Sequence, residues 1–243
     1  MAFLPFLVFA TEGISQTNLL LNKRFVTEAN DASYTQQLEQ QVKAGMDINQ
    51  IDPRTGLNAI SMLIHLRAKD KELLESANSL IKLLLANGAD PNQVIAPSRD
   101  FSKWEGYSPL QTAVHYEFKE IVQTLIDGWA DVNAKVPFPD WRTPLHLAVD
   151  MRNEEIVQAL IDGWADLDTK TLDGYTALHL AVDKGNKEIV QALIKAGADL
   201  DTMTYDGYKA LHLAVDTRNE EIVQVLVEAG ADLDTKTLDG YTA

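Results

Sequence analysis

From Thr143 onward, apolar residues fall in two clusters every 33 residues, with polar stretches between them. In the stretch 143–175, Leu145, Ala148 and Val149 line one side of a short first helix. Ile156, Val157, Leu160 and Ile161 then follow the i, i+1, i+4, i+5 spacing of an amphipathic second helix. The polar residues Asp150–Asn153 between the clusters mark a turn. Ala165–Asp168 and the turn signal Asp173-Gly174 predict an extended finger leading to the next unit. Thr143 suits the N-cap of the first helix, because its hydroxyl can accept a bond from a free backbone N–H. Pro144 suits the first helical position, where its missing N–H costs nothing. Each helix is too short to persist alone in water, so stacking must supply its stability. The same pattern restarts at Thr176 and Lys209. The predicted fold is an all-α repeat solenoid of stacked helix-turn-helix units with extended, β-hairpin-like fingers.

The residues that recur are specific. Thr143-Pro-Leu-His146, Thr176-Ala-Leu-His179 and Lys209-Ala-Leu-His212 keep the period. Each is followed by Leu-Ala-Val-Asp, then Glu-Ile-Val-Gln and Ala-Asp-Leu-Asp or a close variant. With Asp173-Gly174-Tyr175 ahead of Thr176, and Gly197-Ala198-Asp199 behind the second helix, the chain resembles the ankyrin repeat proteins. The resemblance is sharpest from Tyr107 to the C-terminus and runs in register, more weakly, back to about residue 20. It implies a non-catalytic protein–protein interaction array, and a structural role for the recurring histidines near the start of each first helix.

In that register, residues 1–19 form an apolar N-terminal segment and 20–52 a degenerate first repeat. Repeats two to six span 53–104, 105–139, 140–172, 173–205 and 206–238, and 239–243 open a seventh. The second carries about nine extra residues near Arg67–Asn78 and a long finger, and the third has a slightly lengthened finger. A chain stopping at the start of a repeat is expected to be a fragment, or to be covered there by its partner. The opening run MAFLPFLVFA reads either as the tail of an export signal or as a cap on the first repeat. The cytoplasm is the default compartment.

Three positions break the pattern. Trp129 and Trp164 stand where Gly197 and Gly230 end the second helix. Gly suits the left-handed residue that terminates a helix and Trp does not, so Gly128 and Gly163 are expected to take over that turn. The freed indoles are expected to pack between repeats, with a solvent-facing contact pair as the alternative. Lys209 replaces the Thr of the N-cap, which should weaken its helix by about 1 kcal/mol.

Charge changes the picture of partners more than of fold. The chain has 36 Asp+Glu against 21 Lys+Arg, a net charge of −15. Such a field repels nucleic acid and anionic membrane and favours a protein with a basic surface. There is no Cys, so disulfide and thiolate chemistry are excluded. No apolar run is long enough to span a membrane. One histidine per repeat puts His146, His179 and His212 roughly 8–10 Å apart, far too distant to share a zinc ion. The acidic stretch 166–174 has Lys170 at a ligand position and Gly174 misplaced for a calcium loop. No catalytic site, metal or cofactor is expected.

Two surfaces are candidates for a partner. The fingers carry Arg99, Phe101, Trp104 and Tyr107, then Phe138, Trp141 and Arg142, an aromatic and basic set of the kind that dominates interfaces. The alternative is that Trp104 and Trp141 fold back and brace the long fingers. A concave row is expected around Asp150, Arg152, Asp183, Asp216 and Arg218. The favoured function is a protein-binding scaffold using finger and concave helix surfaces. Its alternatives are the regulatory or targeting arm of a longer enzyme or effector, and an acidic inhibitor or immunity protein for a basic partner.

Overall fold

The computed structural model describes residues 40, 42–45, 47–52, 55–67, 74–97, 102–136, 140–234, 236–238, 240 and 242. The N-terminal segment and most of the first repeat lie outside the described residues. The fold is an all-α repeat solenoid, as the periodicity predicts, and the chain divides into two compact units, residues 1–105 and 106–243.

In the first unit, α1 (Ala59–Arg67) and α2 (Leu74–Ala86) pair as a hairpin. Ala77, Leu80, Ile81 and Leu84 give α2 its buried stripe, and Asn58 caps α1 by accepting from the Ser61 N–H at 2.8 Å. Part of the extra length expected here lies in the helices themselves. α1 has nine residues where the later first helices have seven, and α2 has thirteen.

The second unit contains four hairpins. They are α3 (Pro109–His115) with α4 (Lys119–Asp127), α5 (Pro144–Asp150) with α6 (Glu154–Asp162), α7 (Ala177–Asp183) with α8 (Lys187–Ala196), and α9 (Ala210–Asp216) with α10 (Glu220–Glu228). Each first helix packs on the next first helix and each second helix on the next second helix. Leu145, Ala148 and Val149 of α5 and Ile156, Val157 and Leu160 of α6 are almost completely buried. The core is therefore continuous from hairpin to hairpin within this unit, and each seven-residue helix is held by its neighbours.

Capping fixes where the helices begin. Thr143 and Thr176 accept from the N–H of His146 and His179. The imidazole reciprocates: its Nδ1 accepts from the N-cap N–H at 3.2 Å in both cases. The Nε2 then carries the proton and donates to the carbonyl of Tyr175 or Tyr208 at 3.2 and 3.1 Å. Burial of these neutral rings pulls the pKa of His146 and His179 down to about 4. In α3 a glutamine does the same job. Gln111 Oε1 accepts from the Ser108 N–H and its amide donates to the Ala134 carbonyl, both at 2.8 Å. Asn153, Asn186 and Asn219 cap α6, α8 and α10.

Lys209 lacks the hydroxyl cap but is not an idle substitution. Its side chain is 5 % exposed and its Nζ lies 3.0 Å from Asp201 and 3.2 Å from Asp232. Burial works against its charge, yet bonds to the two carboxylates hold its pKa above the usual lysine value.

The C-terminal ends of α4 and α6 depart from expectation. Gly128 and Gly163 stay right-handed, at φ −86° and −80°. The left-handed residues are Trp129 and Trp164, at φ 66° and 65°. Both indoles are 88 % exposed, so they do not pack between repeats. A Cβ at Gly163 would come within 3.0 Å of the Ile126 side chain and 3.2 Å of the Ala159 carbonyl. Gly163 is closely packed, but Ala196 and Ala229 hold the same place in the later hairpins, and the reversal falls one residue on in every case, at Trp164 as at Gly197 and Gly230. The chain must turn there, because the Ala165 N–H bonds back to the Leu160 carbonyl at 3.0 Å and Ala165 is buried.

Candidate protein-binding surface

The fingers of the second unit are built on threonine. The Thr171 N–H donates to the Tyr175 carbonyl at 2.9 Å, and the Tyr175 N–H returns to Thr171 Oγ1 at 3.1 Å. Thr204 and Tyr208 repeat the arrangement at 2.8 and 3.1 Å. The turn between them needs glycine for two reasons. Gly174 sits at φ 83°, and a Cβ there would lie 2.5 Å from the Tyr205 backbone nitrogen. Adjacent fingers are therefore in backbone contact. Leu172 adds a bond from its N–H to the Asp140 carbonyl at 3.0 Å, and Lys170 Nζ donates to the Met203 carbonyl at 2.7 Å.

Between these fingers runs an open groove of about 450 Å³, lined by Asp140, Arg142, Thr171, Leu172, Asp173, Tyr175, Leu180, Tyr205 and Asp206. Asp140, Asp173 and Asp206 occupy equivalent places in three successive fingers. Tyr107, Arg142, Tyr175 and Tyr208 form a second row, each directly before an N-cap. The Tyr107 hydroxyl is made harder to ionise by burial and by Asp140, against the opposing effect of Arg142.

Among the described residues Arg142 is the one cation in the groove lining, with Lys170 Nζ close by at 5.9 Å from the Tyr205 ring, and it is already engaged. It pairs with Asp140 and, at 2.7 Å, with Asp150. Burial opposes its charge, but the two carboxylates hold the guanidinium more firmly protonated than usual. Lys184 approaches Asp150 at 3.0 Å. Burial raises the Asp150 pKa, but hydrogen bonds from Lys184 and Arg142 outweigh that and leave it below the ordinary value. The groove's surplus charge is therefore negative, carried by Asp173 and Asp206 at the finger turns.

The structure distributes the residues singled out from sequence unevenly. Arg99, Phe101 and Phe138 lie outside the described residues. Trp104 is 4 % exposed, its ring edge-on to His65 at 5.1 Å, so it offers no face to a partner. The reason is local: a short helical turn at Ser102–Trp104 lays the indole against the side chain of His65. Tyr107 is half-buried, and Trp141 is 50 % exposed with φ 55°, in the place that Gly174 and Gly207 hold in the following fingers. Of the basic residues in that set, Arg142 is neutralised by its own carboxylates. Asp150 is tied into the same pair. Arg152 donates to the Lys184 carbonyl at 2.6 Å, while Asp183, Asp216 and Arg218 are exposed. Sequence reasoning missed Tyr175, Tyr205, Asp140, Asp173 and Asp206 as groove residues. The signal was the Asp-Gly-Tyr triplet preceding Thr176 and Lys209, which reads first as turn chemistry.

Among the described residues no three His, Asp or Glu side chains converge as a metal site, and no helix is long and apolar enough to cross a membrane. A family model described as ankyrin repeats, in three copies, matches residues 64–171 and 163–237. Among solved structures, the ankyrin repeat domain of Bcl-3, described as a unique member of the IkappaB protein family, is similar. It matches with a TM-score of 0.75 and 22 % identity, over 92 % of this chain and 91 % of that one. The curated proteins contain no match.

Proposed function

Because the chain belongs to the ankyrin repeat family, we propose that it is a non-catalytic scaffold whose finger groove holds a basic segment of another protein. Ankyrin repeats generally serve protein–protein interaction. The observation that carries the finer reading is the groove itself, with carboxylates on successive fingers and tyrosine rings between them. Tyrosine supplies large, stiff contact area at low entropy cost. The carboxylates supply steering toward positive charge, reinforced by the net −15 of the chain. The rows around Asp150, Arg152, Asp183, Asp216 and Arg218 extend the same face along the first helices.

Affinity capture with the full chain, identified by mass spectrometry, tests the proposal when repeated with two variants. Tyr175→Ala with Tyr205→Ala should abolish capture of the specific partner, whereas Asp183→Ala should have little effect. Association should weaken steeply as salt is raised from 50 to about 300 mM, because steering between opposite charges is screened. Capture unchanged by the tyrosine double variant would place the partner elsewhere.

A further inference from the structure

The array takes a left-handed residue at the end of each second helix, and glycine fills it at Gly88, Gly197 and Gly230, with φ of 89°, 95° and 93°. At Trp129 and Trp164 the same backbone carries tryptophan, at φ 66° and 65°. Neither local conformation nor burial accounts for the choice, since the left-handed region disfavours any Cβ and both rings are 88 % exposed. The two rings also belong together. They rise from adjacent hairpins, where residue 163 packs against Ile126 and the Asp166 N–H donates to Asn133 Oδ1 at 2.8 Å. Neighbouring helices in such a stack stand roughly 8–10 Å apart, a span one extended segment bridges in about three residues.

The surroundings set the chemistry of what lies on them. Asp127 and Asp131 flank Trp129, and Asp162 and Asp166 flank Trp164, all of them exposed. Asp127 and Asp162 accept from the neutral amides of Gln123 and Gln158, both at 2.8 Å, which holds each carboxylate in place without cancelling its charge. An exposed π face on a turn flanked in sequence by carboxylates suits a guanidinium, which can stack on a ring and bond an acid at its edge. A second copy of this chain brings the same −15 charge and is repelled. A bilayer would require these carboxylates to be carried toward lipid beside the rings.

We propose that Trp129 and Trp164 form a second docking surface, separate from the finger groove, for an arginine-bearing segment of a partner protein. The two rings take successive guanidinium groups, and the flanking aspartates fix their register.

Deca-arginine, titrated against the full chain by isothermal titration calorimetry, is a direct probe. The control is Trp129→Gly with Trp164→Gly, which installs the residue that other repeats use at this place and leaves the net charge unchanged. Wild type is expected to bind deca-arginine at least ten-fold more tightly than this variant, and more tightly than it binds deca-lysine. In a Tyr175→Ala, Tyr205→Ala background the tryptophan exchange should still weaken binding at least ten-fold, which separates this surface from the groove. Equal binding by the tryptophan variant would overturn the proposal in favour of bulk acidity. Loss of binding only in the tyrosine variant would assign the peptide to the groove instead. Self-association abolished by Trp→Gly without any peptide effect, or wild-type binding to phosphatidylcholine vesicles in place of the peptide, would equally overturn it.

Discussion

Hairpins α3/α4 and α5/α6 trace the same backbone as α7/α8 and α9/α10, yet they finish on tryptophan where the later pair finish on glycine. The stack dictates the turn, since a buried alanine must follow it in every case. It does not dictate the side chain that makes the turn. Where backbone geometry and side-chain identity part in this way, the identity reports on surface rather than on folding. A similar split runs through the caps, where Gln111 occupies the place of His146 and His179 with the same two hydrogen bonds.

The caps offer the largest effect by which to test that comparison. His146 and His179 have folded-state pKa values of about 4, below the ordinary 6.5. Their neutral rings therefore favour the fold fully above pH 6.5, and that contribution is lost as pH falls from 6.5 through 4. Each is worth up to roughly 3 kcal/mol over that window. Urea unfolding at a series of pH values should show the loss. His146→Gln with His179→Gln, copying Gln111, should flatten the curve between pH 6.5 and 4, and an unchanged slope would remove the histidines from the account.

Next in size are two glycines with the same sign of φ. Gly174→Ala should cost about 2–4 kcal/mol, because its Cβ meets Tyr205 backbone as well as the left-handed strain. Gly197→Ala meets nothing within 4 Å and should cost about 1 kcal/mol. Thermal or urea midpoints that do not separate the two would deny the close approach of the fingers.

Trp129→Gly and Trp164→Gly should each stabilise the chain by roughly 0.5–1 kcal/mol, the relieved strain exceeding the entropy that glycine adds to the unfolded state. Destabilisation would mean that the indoles support the fold after all. The smallest change is expected at Lys209→Thr, within about 0.5 kcal/mol of neutral, because a hydroxyl cap is regained while the pairing with Asp201 and Asp232 is lost. Raising the salt should tilt the balance toward threonine.

Much of the solenoid was legible because its signals are local. Thr143 and Pro144 start α5, the Ile156–Ile161 stripe defines α6, and both follow from helical period and capping alone. The fate of Trp129 and Trp164 was not legible. Two adjacent residues could serve the reversal, and its place is set by the bond from the following alanine N–H to the carbonyl five residues back, which is the same whether Trp or Gly makes the turn. Trp104 was undecidable because its burial depends on where His65 stands. The groove was hidden differently. Its residues were visible as turn and cap neighbours, but only stacking brings Asp140, Asp173 and Asp206 side by side.

Within the second unit, one rung recurs between successive finger bases. The N–H groups of Asp166, Asp199 and Asp232 bond to the side chains of Asn133, Asp168 and Asp201 at 2.8, 2.9 and 3.1 Å. The rungs stand in series along the stack, one to each hairpin. Tension applied along the array would load them one after another, so the unit should peel hairpin by hairpin under force, in a sawtooth of small ruptures.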